Sequence, residues 1–199
     1  GSLDGDNGFS FKKLNDTTAS IGWSVAGDVD VNGDGYSDVG IGSSGGVYVL
    51  FGHSGTFDPD LQASEIDGTN GFMVTGGAMI VGQGGDFNGD GYDDLVISNP
   101  FATIDGKYNA GGVYVVFGKS GGFGATIDVS QLNGTNGFRI QGIENSKIGD
   151  SVSLGGDFNG DGFDDLLIGA PGFAATQSGC MLLYGHSGSN AATLTYGAV

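Results

Sequence analysis

The chain has 199 residues, 43 of them glycine and 3 proline, and a formal net charge of −17 from 23 acidic against 6 basic residues. Positive charge this sparse forms no basic patch, which excludes nucleic acid as a partner. No apolar run reaches the roughly 18 residues a membrane span needs, the glycines follow no collagen period, and the single Cys180 excludes an intramolecular disulfide while leaving the redox compartment open.

Apolar residues make up 38% and recur in short, regular runs, as a sheet-rich core of many brief strands requires. The acidic residues are almost all Asp, Glu65 and Glu144 being the exceptions. A short carboxylate arm suits turns and metal ligation better than general solubility.

Taken in order, Gly1-Ser2 reads as a cloning scar, so the natural N-terminus is expected to lie out of view. LDGDNGF (3–9), IDGTNGF (66–72) and LNGTNGF (132–138) then mark three internal repeats, divided as 3–65, 66–131 and 132–199. Each repeat reads as four strands. The first follows NGF, as FSFKKL, FMVTG or FRIQG. The second is IGWSVAGD, AMIVGQGGD or IGDSVSLGGD, the third VGIG, LVIS or LLIG, and the fourth GVYVLFG, GVYVVFG or GCMLLYG. No window carries a helical period. One twisted four-stranded sheet per repeat is the signature of a propeller blade, so the fold class expected is all-β, with three four-stranded antiparallel propeller blades. The closing segment, SNAATLTYGAV, matches nothing after FGHSG in the earlier repeats; an edge strand, a capping piece or the start of a neighbour all fit it.

Between the second and third strands one string is written three times: DVNGDGYSD (30–38), DFNGDGYDD (86–94) and DFNGDGFDD (157–165). Positions 1, 3, 5 and 9 carry side-chain oxygens in every copy: Asp30, Asn32, Asp34 and Asp38, then Asp86, Asn88, Asp90 and Asp94, then Asp157, Asn159, Asp161 and Asp165. The carbonyl of position 7, from Tyr36, Tyr92 or Phe163, adds another oxygen. A hard cation such as Ca²⁺ takes 6–8 oxygens, and glycine at position 6 (Gly35, Gly91, Gly162) permits the tight curl. The loop starts like an EF-hand, but position 12 is Ile41, Ile97 or Ile168 instead of a bidentate Glu, so it joins strands rather than helices. A polar Asp/Asn/Gly turn that binds nothing is the competing reading; retention of every ligand position in three copies favours the cation. Three Ca²⁺ ions would bring the charge from −17 to −11.

With those residues laid out, the chain resembles FG-GAP repeats, the blades of the integrin α-subunit propeller and related bacterial surface proteins. The resemblance rests on Phe51-Gly52 and Phe117-Gly118, with Tyr184-Gly185 as a variant, on Gly169-Ala170-Pro171, and on the three acidic loops. It implies one structural Ca²⁺ in each blade's loop, an extracellular or cell-surface setting, and ligands held by loops on the opposite face. Closed propellers have 4–8 blades, so three imply an incomplete propeller, or copies that self-associate to complete the ring.

The remaining chemistry-bearing residues read as structural. His53 and His186 share a turn slot with Lys119, and Ser54, Ser120 and Ser187 have no positioned acid nearby to argue for a triad. Cys180 takes the slot of Val47 and Val113 and reads as buried, and Trp23 reads as core. The middle repeat's longer loop, FATIDGKYNAG (101–111), offers Lys107 and Tyr108 to a partner. No catalytic constellation remains once the Asp clusters are committed to cations. The expected function is therefore a calcium-stabilised, non-enzymatic module for extracellular adhesion or protein interaction. The alternatives are an accessory propeller of a secreted enzyme or a carbohydrate-binding module, with a protein or glycan ligand at the loop face.

Overall fold

The computed structural model describes residues 2–13, 20–172 and 179–196. Short valine-, isoleucine- and phenylalanine-rich runs separated by Gly/Asn/Asp turns become strands of two to nine residues, because β-branched and aromatic side chains fit a pleated surface and glycine permits the reversals. In chain order these are β1 (Ser10–Lys12), β2 (Ile21–Val29), β3 (Asp38–Ser43), β4 (Gly46–Leu50), β5 (Asp60–Gln62), β6 (Gly71–Thr75), β7 (Ile80–Val81), β8 (Leu95–Asn99), β9 (Gly112–Val116), β10 (Thr126–Asp128), β11 (Gly137–Gln141), β12 (Val152–Leu154), β13 (Leu166–Ala170), β14 (Gly179–Leu183) and β15 (Thr193–Thr195). Two three-residue 3₁₀ turns, Ala63–Glu65 and Val129–Gln131, are the helical elements among the described residues, and none is long and apolar enough to cross a membrane.

The all-β expectation holds, but the sheets cut across the sequence repeats. Two five-stranded sheets run β10-β6-β4-β3-β2 and β15-β11-β9-β8-β7; β12-β13-β14 forms a three-stranded sheet and β1-β5 a two-stranded one. The strand after NGF does not open its own repeat's sheet, as the sequence reading has it. It completes the preceding one: β6 pairs antiparallel with β4 (Val49 opposite Phe72) and β11 with β9 (Val115 opposite Phe138). The reason is burial. Phe72 and Val74, and likewise Phe138 and Ile140, are fully covered only when their strand extends the apolar surface of the VYV run before them. A fifth strand then adds parallel, β10 on β6 and β15 on β11. The closing segment is thus an edge strand equivalent to β5 and β10, a match the sequence reading missed. Leu14, which ends FSFKKL, lies outside the described residues, as do Gly1 of the proposed scar and Gly197 to Val199.

Each five-stranded sheet is apolar on both faces, so its central strands read as unbroken hydrophobic runs. Along β8, Leu95 and Ile97 enter one core with Val47, Val49, Phe72 and Val74 of the first sheet, while Val96 enters a second core with Leu154, Leu166 and Ile168 of the three-stranded sheet. The two-residue pleat drives that division. Burial of one such side chain contributes about 1.5–3 kcal/mol, so the stacked faces dominate stability.

Where the stack ends, the apolar expectation fails. Trp23, read as core, is 55% exposed on β2, because among the described residues no sheet covers that face. Cys180, read as buried, is exposed on β14 for the same reason, although Val47 and Val113 in its slot have no exposure.

Candidate metal centres

The three acidic loops connect β2 to β3, β7 to β8 and β12 to β13. They adopt one conformation three times. The glycines at positions 4 and 6 (Gly33 and Gly35, Gly89 and Gly91, Gly160 and Gly162) all have φ between 70° and 94°, a region closed to most side chains. The first Asp is the hub: Asp30 Oδ1 accepts the N–H groups of Gly33 (2.8 Å) and Asp34 (3.1 Å), and Oδ2 that of Gly35 (2.8 Å). Asp86 and Asp157 repeat all three bonds. Asn32 Oδ1 accepts the Asp34 N–H at 2.9 Å and its amide donates to Asp34 Oδ2 at 3.0 Å; Asp34 Oδ1 accepts the Tyr36 N–H at 2.9 Å. Asn88 with Asp90 and Asn159 with Asp161 do the same.

Position 9, expected from the sequence as the last ligand, ties each loop to a neighbouring turn. Asp94, with no exposure, spends one oxygen on the Phe87 N–H (3.1 Å) and the other on the Gly118 N–H (2.9 Å), tying the loop to the FG turn after β9. Asp38 ties Val31 to Gly52, and Asp165 ties Phe158 to Gly185. Burial raises the pKa of Asp94 to about 8, opposed by the Gly118 N–H and reinforced by Asp90 and Asp86; Asp38 rises to about 6, again chiefly through burial. The exposed Asp157 is held below the usual carboxylate range, first by the Gly162 N–H.

As these side chains stand, no three acidic, histidine or cysteine groups among the described residues converge closely enough to hold an ion. The donor set nonetheless suits a hard divalent cation: three carboxylates, one amide oxygen and one carbonyl per loop, with no nitrogen or sulfur ligand. The carboxylates of Asp38 and Asp94, disfavoured chiefly by burial, are the groups that added positive charge would relieve.

Positions 7 and 8 also join the loops to one another. Asp93 Oδ2 accepts the Asp30 N–H of the preceding loop at 2.8 Å, and Asp164 Oδ2 accepts the Asp86 N–H at 2.9 Å. In the first loop Ser37 stands at this position. The Tyr92 ring lies against Gly33 and the Phe163 ring against Gly89, so closely that a Cβ on either glycine would collide with it. Position 7 therefore lends a side chain to its neighbour, a role its reading as a carbonyl donor did not include. The signal was present in the sequence: glycine at position 4 and an aromatic at position 7 in every copy.

Elsewhere, His53 Nδ1 contacts the Ser54 carbonyl (3.0 Å) and His186 Nδ1 that of Ser187 (3.1 Å), as turn residues do. The 101–111 loop leaves the end of β8 opposite the acidic loop and exposes Phe101 and Tyr108, with the Lys147 ammonium 5.0 Å from the Phe101 ring centroid. Lys107 is half-buried.

The FG-GAP repeat model matches residues 80–116 and 148–179, and an FG-GAP-like repeat model matches 30–97; together they span more than half of the chain. Among similar proteins, integrin alpha-PS5 of Drosophila melanogaster is 37% identical over 86 residues, covering 43% of this chain and 8% of its own length. Integrin alpha-PS2 of the same organism is 31% identical over 161 residues, or 76% of this chain and 10% of its own. The phosphatidylinositol-glycan-specific phospholipase D of Bos taurus is 34% identical over 103 residues, or 50% of this chain and 12% of its own. The chain thus spans about a tenth of the length of these relatives.

Proposed function

Because the chain belongs to the FG-GAP repeat family, whose models match it across all three acidic loops, we propose that it is a calcium-stabilised β-propeller module for protein interaction outside the cell. One observation carries the reading: the same oxygen-only loop is built three times with the same hydrogen bonds, each time at the seam between neighbouring strands. The residues that would hold the ions are Asp30, Asn32, Asp34, Asp38 and the Tyr36 carbonyl, with their counterparts in the other two loops. A bound divalent cation there supplies positive charge to a loop carrying three carboxylates. The chain's part is to pre-curl the loop and anchor its buried carboxylate to two backbone amides.

The role is structural rather than catalytic. Both the acidic loops and the FG turns are committed to backbone hydrogen bonds, and the integrin alpha subunits among the relatives favour an adhesive module at the cell surface. The exposed Phe101 and Tyr108, at the strand end away from the acidic loops, offer the surface for a protein ligand. The phospholipase D match favours a second reading, an accessory propeller carried by a secreted enzyme.

With a Kd near 10⁻⁴ M and about 2 mM free Ca²⁺, linkage contributes roughly 1.8 kcal/mol per site, or about 5 kcal/mol for three independent sites. Thermal unfolding with and without EDTA tests this: calcium should raise Tm by many degrees, and coincident melts would refute the reading. Cytosolic calcium would leave such sites empty, which is the reason for assigning the module to the extracellular space.

A further inference from the structure

Three features cross the seams between neighbouring acidic loops, and each occurs at both internal seams. The first is a grip on the hub residue. Asp93 Oδ2 accepts the Asp30 N–H at 2.8 Å, and the Asp93 N–H donates to the Asp30 carbonyl at 3.3 Å. One residue thus holds the peptide groups on both sides of the preceding loop's hub. Asp164 does the same to Asp86, at 2.9 Å and 3.1 Å. The second feature is the ring of Tyr92 or Phe163 lying on position 4 of the preceding loop.

The third is a relay of peptide groups. Gly118 donates to Asp94 of its own loop at 2.9 Å, and the next N–H, that of Lys119, donates to the Val31 carbonyl of the loop before at 3.0 Å. Val31 in turn donates to Asp38 at 3.0 Å. At the other seam Gly185 donates to Asp165 and His186 to the Phe87 carbonyl, both at 3.0 Å, while Phe87 donates to Asp94 at 3.1 Å. Val31 and Phe87 are buried, so water does not compete for these bonds. The three position-9 carboxylates stand on one continuous chain of hydrogen bonds and adjacent peptides.

Given the calcium reading above, on which this rests, we propose that the three loops bind cations as one coupled row. Asp93 and Asp164 are the positioning residues that pass the order of one loop to the hub of the loop before it. Asp93 lies between Tyr92 and Asp94, two of the expected donors of its own loop. Whatever fixes those two also fixes Asp93, and with it Asp30. Filling the second loop therefore does part of the ordering that the first requires, and so tightens it; couplings of this kind commonly change affinity by about 5–150-fold. Repulsion between two dications opposes this, but at exposed loops salt screens it over about 10 Å. Asp164, between Phe163 and Asp165, links the third loop to the second in the same way.

Calorimetric titration of the full chain with calcium, after EDTA has removed divalent ions, provides the test. The unaltered chain should take up three ions with a Hill coefficient above about 1. Asp93→Ser should still take up three, but one of them at least about five-fold more weakly. Asp93→Asn lacks the same charge yet keeps an oxygen for the Asp30 N–H, and should restore most of the affinity. Ile140→Val, a buried change on β11 with a similar effect on stability, should alter neither affinity nor steepness. Three ions bound independently would overturn the coupling and leave the calcium reading standing, whereas no binding would overturn both. Asp93→Asn as weak as Asp93→Ser would reduce the residue to its charge. Equal weakening by Ile140→Val would trace the steepness to folding of the whole chain. Either of these results refutes the proposal.

Discussion

Replacing Asp94 by Asn separates the two tasks of position 9. The buried carboxylate accepts two backbone N–H groups, from Phe87 and Gly118. An Asn amide offers one oxygen and one NH₂, so one of those donors would face another donor; an orphaned buried N–H costs about 1–3 kcal/mol. Little is regained by removing the charge, since burial lifts the Asp94 pKa to about 8 and the ion-free protein at pH 7 already holds this group largely neutral. In EDTA, Asp94→Asn should therefore lower stability by about 1–3 kcal/mol. In 2 mM calcium the loss of a site adds up to about 1.8 kcal/mol. Asp90→Asn is the counterpart: its retained oxygen still accepts the Tyr92 N–H and only the exposed bond from the Asn88 amide to Oδ2 is lost, so the loss in EDTA should be small and the loss in calcium larger. Urea unfolding followed by circular dichroism, at one protein concentration, measures all four differences. Equal losses for Asp94→Asn in calcium and in EDTA would refute its place as a ligand and leave it only as a tie.

Other substitutions probe the joints between loops. Asp93→Ser reproduces the first loop's own Ser37 and removes the bond to the Asp30 N–H; a loss of about 1 kcal/mol is expected from urea melts, being that of a half-buried charge-assisted bond less the relief of burying the charge. Gly35→Ala and Gly33→Ala both place a side chain at positive φ, costing about 1–2 kcal/mol, but only Gly33→Ala also drives a Cβ into the Tyr92 ring. Gly33→Ala should be the more damaging by at least about 1 kcal/mol, in line with other overpacked contacts. Similar losses for the two would remove the interlocking role of the ring.

The repeated acidic loop was legible because it is local: its four oxygen-bearing side chains lie within nine residues and recur with the period of the chain. The second task of Asp38, Asp94 and Asp165 was not legible. Their glycine partners stand 14, 24 and 20 residues away, across connections of unequal length. The repeats revealed their period and not where a sheet begins, because any starting point in a periodic string looks alike; burial of Phe72 and Phe138 decides that, and it acts between repeats. Trp23 and Cys180 were misread for a related reason. Slot-by-slot comparison treats every repeat as internal, whereas these two residues lie at the ends of the stack.

The offset between sequence repeat and sheet also bears on how such chains lengthen and fail. Since every complete sheet borrows its outer strands from the stretch that follows, duplicating or deleting one period of about 65 residues leaves the interior fully paired and merely moves the ragged margins outward. A protease cutting between Leu50 and Gly71 would release no tidy fragment, because the strands on either side of the cut remain knitted into one sheet. Excision at the visible repeat boundaries would tear two sheets at once, so a domain trimmed for expression should be cut to whole sheets instead.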